Sequence, residues 1–116
     1  MVDTWIREIK GKCDPQSVGM ILAHNGIVRA SSKEGKPVKG MRLSFDSAKL
    51  LTCTDEMKKR DGIAEIKVWI NEGTLSVGDD IMYVLVAGRF RTDVLPVLQE
   101  LLSKIKKEIV REEEIH

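Results

Sequence analysis

The chain has 116 residues, a length that suits one domain, and 42% of them are hydrophobic while 32% are charged. This composition is typical of a folded globular protein and excludes an intrinsically disordered one. With 19 basic and 18 acidic residues the net charge is +1, which does not support a nucleic-acid coat or a membrane-surface protein.

The first twelve residues contain no apolar core of a secretory signal, and no apolar run approaches the ~20 residues that a membrane helix needs. We therefore expect a cytoplasmic protein. Cys13 and Cys53 lie far apart and form no Cys-x-x-Cys motif, so both are predicted to be free thiols.

The first half of the chain predicts a helix, a strand, a loop and a second strand. Residues 3–10 favour a short helix capped by Asp3 or Thr4. Residues 17–30 are apolar on both alternating sets, which predicts a buried strand, and Gly26 within it indicates a bulge or a close backbone approach. Residues 30–40 are polar, with glycines, a proline and several lysines, and predict a mobile loop that closes over an anion. Residues 41–45 alternate as a half-buried strand does.

The second half predicts a helix over 47–60, a strand over 64–71, turns within 72–80 and a buried strand over 81–87. The last predicted helix is capped by Thr92 or Asp93, has Pro96 in its first turn, and continues into an exposed acidic tail at residues 112–114. Its apolar stripe consists of Val94, Leu98, Leu101, Leu102, Ile105 and Ile109. Helices and strands mix without a regular βαβ rhythm, so residues 1–116 are predicted to form a single α+β domain.

The chemistry available to the chain is cationic. His24 and the terminal His116 are the only histidines, no catalytic triad or glycine-rich phosphate loop is present, and neither a metal nor a cofactor is predicted. Arg29 follows the first long strand, and Arg91 lies beside a helix N-terminus, where anions are favoured. Lys106 borders the apolar stripe of the last helix, where partial desolvation would make its amine more reactive. From the residues alone, ordinary surface cations remain an alternative.

The motif INEGTLSVGDDIMYVLVAGRFR at residues 70–91 resembles the large, catalytic subunit of molybdopterin synthase. A Gly-x-Leu-x-x-Gly-Asp turn precedes an apolar strand in that family, and a Ser-x-His-Arg type motif then opens a helix. The matching residues are Gly73, Leu75, Gly78, Asp79 and Arg91, with Gly26, Val28 and Arg29 matching an upstream Val-Gly-x-Val-Arg motif. Two positions depart from the family: Phe90 replaces the motif histidine, and Glu113 falls on the second of two lysines.

The resemblance implies an α/β hammerhead fold with a smaller β subdomain, and a role in molybdenum cofactor biosynthesis. A small ubiquitin-like subunit would present a thiocarboxylate on its C-terminal Gly-Gly tail, and its sulfur would pass to a cyclic-phosphate pterin precursor. Lys106 would be catalytic, and Arg29 and Arg91 would bind the substrate. The chain would form a homodimer within a heterotetramer. Phe90 and Glu113 favour an alternative, a non-catalytic relative that binds a ubiquitin-like partner or a pterin.

Overall fold

The computed structural model describes residues 1–116 as three α-helices, one π-helix and six strands. In chain order they are α1 Val2–Lys12, β1 Met20–Ile27, β2 Gly40–Phe45, α2 Ser47–Lys58, β3 Ile63–Ile70, β4 Gly73–Ser76, β5 Asp80–Gly88, α3 Arg91–Lys104, the π-helix Ile105–Ile109 and β6 Val110–Ile115. The predicted α+β class is confirmed. No helix is long and apolar enough to cross a bilayer.

The first sheet has the strand order β1-β5-β3 and is antiparallel throughout. Its middle strand, β5, is buried on both faces. Val84 and Val86 face the main core beneath α2 and α3, while Leu85 and Ala87 lie under α1 against Ile9. This explains the continuous apolar run that predicted a buried strand, because a strand covered on both sides has no solvent face.

The predicted buried strand over 17–30 is shorter than expected and lies at a sheet edge, so β1 is only half-buried. Its two-sided apolarity has a structural cause: Leu22 packs against the main core and Ile21 against the α1 cluster. The predicted irregularity is confirmed, because the pairing register with β5 shifts between Gly26 and Ile27. The predicted cap of α1 by Asp3 or Thr4 is wrong, since the helix begins after Met1, which supplies no side-chain cap.

The second sheet has the order β4-β2-β6 and corrects two predictions. Within the segment predicted only as turns, residues 73–76 pair with β2, because Leu75 can bury its side chain beside Met41. The acidic tail is a strand, not an extension of the last helix, and it pairs with the other edge of β2 over its whole length. Its backbone hydrogen bonds are satisfied by β2, which overrides the weak strand propensity of a glutamate run.

The last helix begins and ends earlier than predicted. Its N-cap is Phe90, whose carbonyl accepts hydrogen bonds from the amides of Asp93 and Val94. Pro96 is therefore the sixth helical residue, beyond the first turn, where its missing N–H removes one helical hydrogen bond. The α-helix ends at Lys104 and is followed by the π-helix, in which the amide of Val110 donates to the carbonyl of Ile105.

Candidate active site

A cavity of about 470 Å³ lies where the end of β1, the start of β5, the π-helix and β6 meet. Arg29 and Lys106, which are 77 positions apart in the sequence, both line it. Arg29 reaches it because the amide of Val28 pairs with the carbonyl of Asp79 at 2.9 Å, which holds the chain beside β5. Lys106 reaches it because α3 packs back along β5 and brings the π-helix to the same end of the sheet.

The cavity combines an apolar floor with unpaired cations. Seven of its fifteen lining residues are hydrophobic, and its three cations are Arg29, Lys33 and Lys106. None of the three makes an ion pair within the chain. The Arg29 Nε atom donates to the carbonyl of Ser31 at 2.8 Å, which leaves the two terminal nitrogens of the guanidinium free. Free guanidinium and ammonium groups beside an apolar surface suit an anionic ligand that also carries a flat ring.

Lys106 does not have the partial desolvation that the helical periodicity predicted. Its side chain is exposed, because the π-helix replaces the last α-helical turn and changes which residues face the core. Ile105 and Ile109 are buried and anchor the π-helix, while Lys106 and Lys107 between them face outward. Short π-helical segments occur frequently at functional sites.

Arg91 lies at the opposite end of α3 from the cavity. It is the first residue of α3, and Lys106 is the second residue after that helix ends, so at 1.5 Å per residue they are about 22 Å apart. Arg91 is exposed and makes no ion pair or side-chain hydrogen bond. Within one chain, the structure brings Arg29 and Lys106 together and leaves Arg91 apart.

Arg89 and Phe90, beside Arg91, have distinct positions. The guanidinium of Arg89 lies 3.2 Å from Asp61 and 3.5 Å from Asp93, so it links the turn after α2 to the first turn of α3. It also lies 5.8 Å from the centroid of the Phe90 ring. Phe90 itself is 64% exposed. Arg89 therefore has a structural role at the sheet end, and Phe90 is an open apolar surface next to Arg91.

Three ionisable residues of the cavity were not predicted from the sequence: His24, Glu112 and Glu114. The two glutamates pair with Leu43 and Met41 across the second sheet, so they share the inner face of that sheet. Glu113 pairs with Arg42 on the outer face, where the charged atoms are 3.9 Å apart. Successive side chains of a strand face opposite sides of its sheet. A strand prediction for residues 110–115 would therefore have placed Glu112 and Glu114 on one face and Glu113 on the other.

A second groove, of about 730 Å³, shares Lys106 with the cavity. Its other charged residues are Lys107, Arg111, Asp46, Glu108 and Glu112. Cations and carboxylates are equally numerous there, and only three of its ten lining residues are hydrophobic. We therefore place the candidate site in the cavity that contains Arg29, and regard the groove as its continuation on the other side of Lys106.

The cysteines lie outside this site. Cys53 packs against the main core and Cys13 against the α1 cluster, so they do not meet, and both are free. Burial raises the pKa of the Cys53 thiol, and nearby glutamates oppose the charge of Lys104. A protonated thiol is a poor nucleophile, so these surroundings do not favour a catalytic role for Cys53.

Comparison with known proteins identifies relatives over nearly the whole chain. The family model described as MoaE protein matches residues 2–108. An uncharacterized protein of Methanocaldococcus jannaschii is 32% identical over 110 residues, covering 91% of this chain and 88% of that protein. A probable molybdopterin synthase of Haloferax volcanii is 25% identical over 107 residues, covering 86% of this chain but 41% of its own length.

Solved structures share the fold. The molybdopterin synthase of Staphylococcus aureus superposes with a TM-score of 0.76 at 18% identity, covering 95% of this chain and 82% of that one. A chain in the complex of subunits 1 and 2 of the molybdopterin-converting factor from Helicobacter pylori superposes with a TM-score of 0.76 at 18% identity, covering 99% and 76%.

Proposed function

Because this chain belongs to the MoaE protein family, and so has a role in molybdenum cofactor biosynthesis as the large subunit of molybdopterin synthase, we propose that it catalyses sulfur transfer. The donor is a thiocarboxylate on the C-terminal Gly-Gly tail of a small ubiquitin-like subunit. The acceptor is a cyclic-phosphate pterin precursor, which becomes the dithiolene of molybdopterin. One chain of the two-subunit complex from Helicobacter pylori shares this fold, which supports a small-subunit partner.

The observation that carries the proposal is the meeting of Arg29 and Lys106 in one partly apolar cavity. Arg29 binds the phosphate of the precursor through its free guanidinium nitrogens, since a guanidinium matches phosphate geometry. The apolar floor holds the pterin ring. Lys106 places its ammonium group beside the reacting carbon, where it stabilises the charge that develops on the departing oxygen, and serves as the catalytic residue.

Arg91 belongs to the same proposal only if two chains form the site. It cannot reach a ligand held by Arg29 and Lys106 of its own chain, because roughly 22 Å of helix separates Arg91 from Lys106. A homodimer that places the α3 N-terminus of one protomer over the cavity of its partner would supply Arg91 to the phosphate. Two-fold symmetry then forms two equivalent sites.

Reconstitution tests the proposal. The wild-type chain, a thiocarboxylated small subunit and the precursor are combined, and molybdopterin is measured by mass spectrometry. We expect Lys106→Ala to abolish product formation while folding and small-subunit binding persist, because the exposed side chain contributes little to the core. Lys59→Ala is the matched control, since it removes an exposed lysine that lines neither the cavity nor the groove. Equal losses in both variants would contradict the role of Lys106.

The second candidate is a non-catalytic relative that binds a ubiquitin-like partner or a pterin. Phe90 in place of the motif histidine and two carboxylates inside the cavity favour it. In the same experiment this candidate predicts that the small subunit or the pterin binds, and that wild-type protein yields no molybdopterin.

A further inference from the structure

His24 lines the cavity together with Arg29 and Lys106. It lies on β1 opposite Val84, a fully buried residue on the core face of the sheet. Its side chain is half-buried, and its ring makes no hydrogen bond with any other group of the chain. The other histidine, His116, is bound elsewhere, with Nδ1 3.0 Å from the carbonyl oxygen of Pro37.

The direction of the ring follows from its neighbour on the same face of the strand. A Cβ atom at Gly26 would lie 3.6 Å from the Nε2 atom of His24, so the ring leans over Gly26 towards the Arg29 end of β1. The same Cβ position is 3.5 Å from the Cβ atom of Ile81 and 3.7 Å from the Cγ atom of Met82. The absence of a side chain at position 26 therefore leaves the Nε2 edge of His24 open to the cavity.

The proposed reaction requires a proton to move twice for each sulfur. First the thiocarboxylate sulfur forms a C–S bond to the precursor carbon, and the C–O bond there breaks; the departing oxygen takes the electron pair and needs a proton. Then water adds to the resulting thioester and loses a proton, the bond between the acyl carbon and sulfur breaks, and sulfur stays on the pterin while the small subunit regains a carboxylate. No electron is gained or lost overall.

We propose that His24 is the proton-transfer residue of this site, giving the proton to the departing oxygen in the first step and taking one from water in the second. The inference rests on the proposed sulfur transfer. Imidazole suits both steps because it is the one side chain that ordinarily changes charge between pH 5 and 8. Charged groups of both signs line the cavity with it: Arg29, Lys33, Lys106, Glu112 and Glu114.

The first test measures sulfur transfer by His24→Gln in the complex with the small subunit. We expect the rate to fall by roughly 100- to 10,000-fold, the usual contribution of a general acid–base group, with precursor binding retained. We also expect one limb of the wild-type pH–rate profile to disappear. Added imidazole should partly restore the rate of His24→Ala. His116→Asn is the matched control and should behave as the wild type.

The outcomes separate the two proposals. A wild-type protein that forms no molybdopterin overturns the sulfur transfer and the role of His24 with it. An active wild type with an equally active His24→Gln, and an unchanged pH–rate profile, overturns only the role of His24.

A second measurement does not depend on a folded variant. In the wild-type complex, the ¹⁵N resonance of the His24 ring should move when the precursor is added, while that of His116 should not. A His24 resonance that stays in place at saturating precursor overturns the inference.

Discussion

Glu65, on β3, is a half-buried carboxylate whose charge is coupled to folding. Lys58 lies 2.9 Å from it, and the amide of Ile66 donates to it at 2.9 Å. Burial alone would raise its pKa, but the hydrogen bonds from Lys58 and Ile66 and the charges of Lys58 and Lys67 together lower the pKa below its ordinary value. A carboxyl with a lower pKa in the folded state stabilises the protein above its unfolded pKa of about 4.3, and this contribution is lost as the pH falls through the folded pKa.

We therefore expect Glu65→Gln to lower the free energy of unfolding at pH 7 by less than about 1 kcal/mol, because the ion pair is partly exposed. At pH 3 the difference from wild type should shrink, since the unfolded wild-type chain binds a proton at this carboxyl there. Urea unfolding at pH 7 and at pH 3 measures the difference in unfolding free energy between the variant and the wild type. Asp55→Asn, at an exposed residue without an ion pair, is the control. A difference that is the same at both pH values would refute the coupling.

At the scale of one element, β6 determines which carboxylates face the cavity. Glu112 lines the cavity on the inner face, whereas Glu113 faces Arg42 on the outer one. We expect Glu112→Gln to bind the anionic precursor roughly fivefold more tightly, which corresponds to about 1 kcal/mol of relieved repulsion. Isothermal titration calorimetry measures the affinity.

The matched control is Glu113→Gln, which changes a carboxylate on the outer face of β6. This variant should bind the precursor with the affinity of the wild type. Glu113→Lys, which restores the family's second lysine in sequence, should also leave sulfur transfer unchanged, because its side chain lies on the face away from the cavity. The like charges of the introduced lysine and Arg42 would cost at most about 1 kcal/mol, since Arg42 and Glu113 are 65% and 69% exposed. A gain in transfer by Glu113→Lys would show that β6 has a different register in the active complex.

At the scale of the whole molecule, the chain is elongated, at 48 × 25 × 23 Å, and about 22 Å of helix separates Arg91 from Lys106. We expect a homodimer in sedimentation, and Arg91→Ala should weaken precursor binding by roughly ten- to hundredfold, as the loss of a charge-assisted contact does. A chain that stays monomeric at micromolar concentration would contradict the shared site.

Mixed dimers test the shared site directly. When Arg91→Ala and Lys106→Ala chains are mixed and exchanged, half of the dimers are mixed, and one of the two sites in each regains Arg91 from one chain and Lys106 from the other. We expect roughly a quarter of the wild-type activity to return, by the statistics of a two-fold dimer. Each variant alone is the control. Mixtures no more active than the separate variants would place both residues in a site made by one chain, or outside the site.

The sequence by itself determined the α+β class, the family, and the two residues that meet in the cavity. Strand β5 and helix α2 were predictable because their signals are local, a continuous apolar run for β5 and a cationic last turn before Gly62 for α2. Arg29 was predictable because its motif lies beside a strand end. Tertiary structure decided the rest. The glutamates of β6 form a strand only because β2 offers an unpaired edge to their backbone, and neither partner is visible in the sequence of the other. His24 reaches the cavity because β1 pairs with β5 and sets His24 opposite Val84, 60 residues away. Arg91 follows the other end of β5, so it lies at the far end of the sheet. Such placements depend on contacts between distant segments, whereas periodicity reports only the face that each segment buries.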